Sequence, residues 1–200
     1  VNIRQNEIST QSPNYSNAAI AADYSQQAIR LIEAGGVPTV VDKAKWNQKA
    51  QLAYLYHTLA ILEEQKKNSD RALELYAKAA SFEANNPAFS FACGRLHQEK
   101  YLAAVQKYQA FPEADREGEA AKAALAEANA HADKVIDCWA KFVALSTTKT
   151  ATRDQVEKVI TDLYKYRHPD SPDGLQKLIE QYRSSAPAGN SATSSASTKP

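Results

Sequence analysis

Methionine is absent from the chain, and cysteine occurs only twice, as Cys93 and Cys138. Two cysteines cannot build a disulfide framework and leave the redox compartment open, so both are read as small core residues. A chain that starts at Val1 and lacks methionine is expected to be a processed chain or a piece of a longer one, with any targeting signal removed. Glycine is scarce at 6, and Gly35, Gly36, Gly94 and Gly174 fall near expected helix ends or helix contacts. Excess charge of one sign is also missing: the net charge of +1 gives no field to gather phosphate backbones or anionic lipid, which argues against nucleic acid and membrane surfaces as partners. No stretch approaches the roughly 18 to 20 apolar residues that span a bilayer, which predicts a soluble segment.

What is present is helical. Hydrophobic residues make up 44% and charged residues 24%, and apolar positions return at intervals of three and four. Residues 1–12 are polar and aperiodic and are expected to be a flexible leader. From Pro13 to about Glu33, Ala18, Ala22, Ala28, Ile29 and Ile32 supply an apolar side that stops at Gly35-Gly36 and Pro38. Asp42 is expected to cap a helix running to Lys67 through Trp46, Leu52, Leu55, Tyr56, Leu59 and Leu62, with Asn68-Ser69 capping the next. Asn86-Pro87 places a capping side chain before a first-turn proline. The helix that follows is expected to turn near Glu99-Lys100, and a second short helix to end at Phe111-Pro112. Residues 113–146 are expected to bend or break near Asn129 to His131. Thr152 and Gln155 have the spacing of a capping box, His168-Pro169 ends that helix, and Ser171-Pro172 starts a last one. Residues 185–200, rich in Ser, Ala and Thr, have nothing large to bury and are expected to be a disordered tail.

Helices with no strand pattern between them must pack on one another, as a bundle or as a stack of hairpins. Residues 53–86, AYLYHTLAILEEQKKNSDRALELYAKAASFEANN, match the roughly 34-residue period of a tetratricopeptide repeat. Tyr56 stands at that family's aromatic position, Leu59-Ala60 at its Leu-Gly, Ala72 at the close contact of the paired helices, Tyr76 at the next aromatic and Ala79 one turn on. The segment resembles the family despite Ala84 in place of the closing proline and the missing glycine of the inter-helix turn. Residues 87–111 look like a degenerate second copy, with Cys93-Gly94, Tyr101, Ala104 and Tyr108 in corresponding places. Weaker echoes recur at Ala28/Ile32, Val135/Trp139/Phe142 and Leu175/Ile179/Tyr182. The resemblance implies an all-α fold over residues 13–184, a right-handed solenoid of stacked antiparallel hairpins.

Such repeats hold a peptide or protein segment in the groove lined by the first helices of successive hairpins. By that resemblance the groove residues would be Tyr54, His57, Ile61 and Glu64 in the first unit and Phe91, Arg95 and Gln98 in the second. Members that grip a C-terminal carboxylate use Lys, Arg and Asn, whereas His57, Ile61 and Ala92 stand at the matching positions here, which argues against that variant. Phosphate-cradling, nucleophile-elbow and zinc-helix motifs are missing, so no catalytic residue, metal ligand or cofactor is assigned and the chain is read as a non-enzyme. Glu127, His131 and Cys138 share one helical face, where a metal with a further ligand from elsewhere could be held, but they are read as a solvated face and a buried thiol. Tyr164-Lys165-Tyr166-Arg167-His168 interleaves aromatics with bases, but cations at a helix C-terminus have a structural reason to be there. Asn14-Tyr15-Ser16 fits the glycosylation pattern and carries no further reading. The expectation is a non-catalytic scaffold for a protein or peptide. The alternative is a structural or assembly subunit of a bacterial cell-envelope complex, in the periplasm or envelope.

Overall fold

In the computed structural model, residues 17–39, 42–171 and 173–185 are described, and every regular element among them is helical. Seven α-helices follow one another: α1 (Ala18–Glu33), α2 (Gln48–Gln65), α3 (Ser69–Phe82), α4 (Pro87–Gln109), α5 (Glu119–Leu145), α6 (Ala151–Arg167) and α7 (Gly174–Ser185). Single 3-10 turns at Lys43–Lys45 and Glu113–Asp115 precede α2 and α5. No helix of the described residues is long and apolar enough to cross a membrane. The expected leader and, beyond Ser185, the expected tail lie outside the described residues, as does Asn14-Tyr15-Ser16.

The α2–α3 hairpin forms where the 53–86 pattern puts it. Ala60 and Ala72 are both fully buried, and small side chains there let two helices approach closely. Asp42 caps only the short 3-10 turn, accepting from the Ala44 N–H; Asn47 starts α2 by accepting from the Ala50 N–H at 3.1 Å. Asn68 holds the N-cap position of α3, but its amide donates back to Glu63.

Helices α1 and α2 end in the same way with different residues. In α1, Gly35 N–H donates to Ile32 O and Gly36 N–H to Leu31 O, with Gly35 at φ 87°. In α2, Lys67 N–H donates to Glu64 O and Asn68 N–H to Glu63 O, with Lys67 at φ 58°. Both are Schellman closures, which need a left-handed residue after the helix. Lys67 therefore occupies the conformation of the glycine that the repeat pattern lacks. A Cβ in that region costs about 1–2 kcal/mol, partly offset by the extra entropy glycine loses on folding. Lys67→Gly is thus expected to stabilise the chain by about 0.5–1 kcal/mol, read as a higher urea midpoint with an unchanged slope; a lower midpoint would show that the lysine stem contributes more than its backbone costs.

Helix α4 overturns the expected second repeat. It runs unbroken for 23 residues through Glu99-Lys100, because no glycine or proline follows Gly94 within it, and Lys100 reaches α3 through Asp70 at 2.8 Å. Residues 87–111 are therefore not a pair of helices. The partner of α4 is α5, which runs 27 residues straight through Asn129 to His131. Its inward positions Ala121, Ala124, Ala128, Ala132, Val135, Trp139 and Val143 recur at threes and fours without a gap, so nothing favours a break. Thr150, not Thr152, caps α6 by accepting from the Arg153 N–H, and α7 begins at Gly174 rather than at Ser171.

Two apolar clusters result. One joins α1, α2 and α3 to the start of α4 through Ile29, Leu52, Leu59, Leu75, Phe89 and Leu96. The other joins the end of α5 to α6 and α7 through Val135, Trp139, Val143, Val156, Ile160, Leu175 and Ile179. Helix α4 is the shared wall.

Candidate peptide-binding cleft

The antiparallel α4–α5 hairpin is built from cross-pairs that descend α5 as they ascend α4. Phe91 O accepts from the Trp139 indole N–H at 3.1 Å, Cys93 is bonded to Cys138 with Cα atoms 5.9 Å apart, His97 faces His131, and Lys107 meets Glu127. The disulfide corrects the reading of Cys93 and Cys138 as separate core thiols, because the hairpin places them on facing sides of adjacent helices. It also removes Cys138 from any ligand set with Glu127 and His131. Gly94 lies against the Trp139 ring, where a Cβ would come within 2.2 Å of Cδ1.

Phe91 leans across this crossing onto Phe142, ring centroids 5.2 Å apart. Helix α6 then closes a cleft of about 190 Å³ over α4 and α5. Its apolar walls are Phe91, Trp139, Val156 and Val159, and its polar rim is Arg95, Gln98, Thr152 and Gln155.

Three of the seven expected groove residues, Phe91, Arg95 and Gln98, thus line one cleft. The other four do not join them there. Tyr54 and Ile61 pack against the first apolar cluster. His57 sits between the Tyr76 and Phe89 rings at 5.7 and 5.4 Å, and burial lowers its pKa against the opposing pull of Glu64. Glu64 is the bridge: it accepts from Tyr76 Oη at 2.6 Å and is ion-paired with Arg95, which also holds Glu99 at 2.8 Å. Burial, and then this hydrogen bond, raise the Tyr76 pKa, keeping the phenol neutral as a donor. The ion pair links α2 to α4 across the interval where the repeat pattern puts a groove. Helix α6 supplies the wall that faces Phe91, Arg95 and Gln98.

The sequence reading missed Trp139, Thr152, Gln155, Val156 and Val159 as cleft residues. The Val135/Trp139/Phe142 echo was a signal for the first, but only the packing of α6 on α5 could reveal the others. In the basic-aromatic run, Arg167 binds Asp133 through two nitrogens at 2.7 and 2.9 Å, and the Tyr164 and His168 rings meet at a tilt with centroids 4.4 Å apart. Tyr166 and His168 are exposed, and Tyr164 is partly buried. Among the described residues no group of three or more His, Cys, Asp or Glu side chains is placed to hold a metal ion. No family model, curated protein or solved structure matches the chain.

Proposed function

We propose that the chain is a non-catalytic scaffold that captures a protein or peptide segment through an apolar anchor side chain inserted between α4, α5 and α6. The α2–α3 and α4–α5 hairpins read as an irregular tetratricopeptide-like stack of right-handed sense, with the binding cleft displaced towards α6. The supporting observation is the cleft itself: aromatic and valine walls accept an apolar side chain, while Gln98, Thr152 and Gln155 offer amide and hydroxyl groups to a peptide backbone. Arg95 adds a cation at the rim, already shared by Glu64 and Glu99, so an acidic ligand would compete with two carboxylates. A segment with a neutral apolar anchor suits the site better.

The chain carries two tryptophans, so Trp46→Phe leaves Trp139 in the cleft wall as the sole indole reporter. Peptides selected from a displayed random library on this variant should share an apolar anchor and shift the Trp139 emission. Val159→Glu should abolish both effects. Selected peptides that bind Val159→Glu equally well would move the site elsewhere.

A second reading is favoured by α1, where Ile20, Tyr24 and Leu31 form one stripe, each more than half exposed. Solvent-facing apolar side chains at this spacing suit a contact in an assembly. The disulfide supports an oxidising compartment for either role, such as a bacterial periplasm or envelope.

A further inference from the structure

His97 on α4 and His131 on α5 face each other about one turn along α4 from the disulfide. Their ring centroids are 5.3 Å apart and their Nδ1 atoms 3.2 Å apart. Both side chains are partly open to solvent. Two neutral imidazoles at this distance can make one hydrogen bond, the Nδ1–H of one ring donating to the Nδ1 lone pair of the other, in a direction set by the tautomers. The same spacing is close to the edge of a tetrahedral cation site, because two zinc–nitrogen bonds of about 2.0–2.1 Å at the tetrahedral angle hold their nitrogens about 3.3–3.4 Å apart. Cation binding there requires both Nδ1 lone pairs, with each ring carrying its proton on Nε2.

We propose that His97 and His131 form a two-imidazole site for a divalent transition cation of the zinc, nickel or copper type, with water completing its coordination. Imidazole nitrogen selects these ions over magnesium and calcium, which prefer oxygen. The charges facing the pair are Asp70 from α3, Lys100 from α4, and Glu127 and Lys134 from α5. Lys100 is neutralised by Asp70 at 2.8 Å, and Lys107 meets Glu127 at 3.2 Å. Burial, helped by His131 and by the cations Lys134 and Lys100, lowers the His97 pKa to about 4, so its ring is in the ligand form at neutral pH. The same lysines oppose a cation, and chelation by two nitrogens on rigid helices must outweigh them. Thiol ligation does not compete, since both cysteines are in the disulfide. A bound ion would tie α4 to α5 at a second point.

The test is calorimetric titration of the oxidised, metal-stripped full chain with zinc chloride at pH 7.5, with magnesium chloride as control. One zinc ion should bind and raise the melting temperature, and magnesium should do neither. His97→Gln and His131→Gln should each weaken zinc binding by at least about tenfold, the least that losing even an outer-shell partner usually costs. In the unmutated chain, long-range nitrogen NMR should show the His97 and His131 nitrogens shifting together while those of His57 and His168 stay in place, which decides the matter if either variant fails to fold. The proposal is overturned if zinc does not bind, if both variants keep the parent affinity, or if the shifts fall on His57 or His168.

Discussion

A Cys93→Ser, Cys138→Ser variant is expected to unfold at a urea concentration about 2 M below that of the oxidised chain. The bond spans 45 residues of sequence, and cross-linking a loop of that length removes about 4 kcal/mol of conformational entropy from the unfolded chain. With a slope of about 2 kcal/mol per molar urea, that becomes the stated midpoint shift. The unmutated chain unfolded with reductant should behave like the variant, because the effect belongs to the bond and not to the sulfur atoms. The disulfide closes the loop containing the whole distal half of the α4–α5 hairpin, where the buried side chains Ala104, Ala121, Ala124 and Ala128 are small. A stripe of alanines buries little area per residue, so this half of the hairpin depends more on covalent closure than the leucine-rich α2–α3 hairpin does. Oxidised and reduced chains with coincident midpoints would show that the two cysteines are not joined, and would remove the support for an oxidising compartment.

The helices were legible in the sequence where local chemistry marks them. Asn86-Pro87 starts α4, Gly35-Gly36 ends α1, and the small residues Ala60 and Ala72 sit inside the α2–α3 contact. Continuity was not legible. Glu99-Lys100 looks like a turn beside a repeat pattern, yet both residues favour helix, and Asp70 on a neighbouring helix holds Lys100 in place. The repeat period outweighed local propensity in the reading, and local propensity prevailed in the fold. That single difference moved the partner of α4 from an imagined return helix to α5. It thereby hid the disulfide, the His97–His131 contact and the α6 wall of the cleft, all of which depend on pairing residues about 35 to 70 positions apart. Phe91, Arg95 and Gln98 were found because they share one face of α4 whatever lies opposite. Glu64 and Arg95 were both assigned to the groove, in successive units, and their ion pair links α2 to α4.

Gly94→Ala should destabilise the chain by about 2 kcal/mol, against the usual sign of that substitution. In an open helix, replacing glycine with alanine gains about 1 kcal/mol of helix propensity. At Gly94 the added carbon would stand 2.2 Å from Trp139 Cδ1, 2.3 Å from Nε1 and 2.6 Å from Cγ. The indole cannot swing aside cheaply, since it is 4% exposed and its N–H is held by Phe91 O. The helices must separate instead, and overpacking of this kind costs about 1–3 kcal/mol beyond what propensity returns. Trp139→Phe makes room at the crossing, so in its background Gly94→Ala should cost at least about 1 kcal/mol less than it does alone. Because Trp139 also forms a wall of the cleft, the two residues link architecture to binding: Gly94→Ala should weaken a selected peptide along with the fold. If Gly94→Ala raises stability, the crossing of α4 and α5 is wider than described and the cleft cannot have the aromatic wall assigned to it. If stability falls but no coupling to Trp139 appears, the clash lies with another neighbour, and Trp139 is free to report on ligand binding alone.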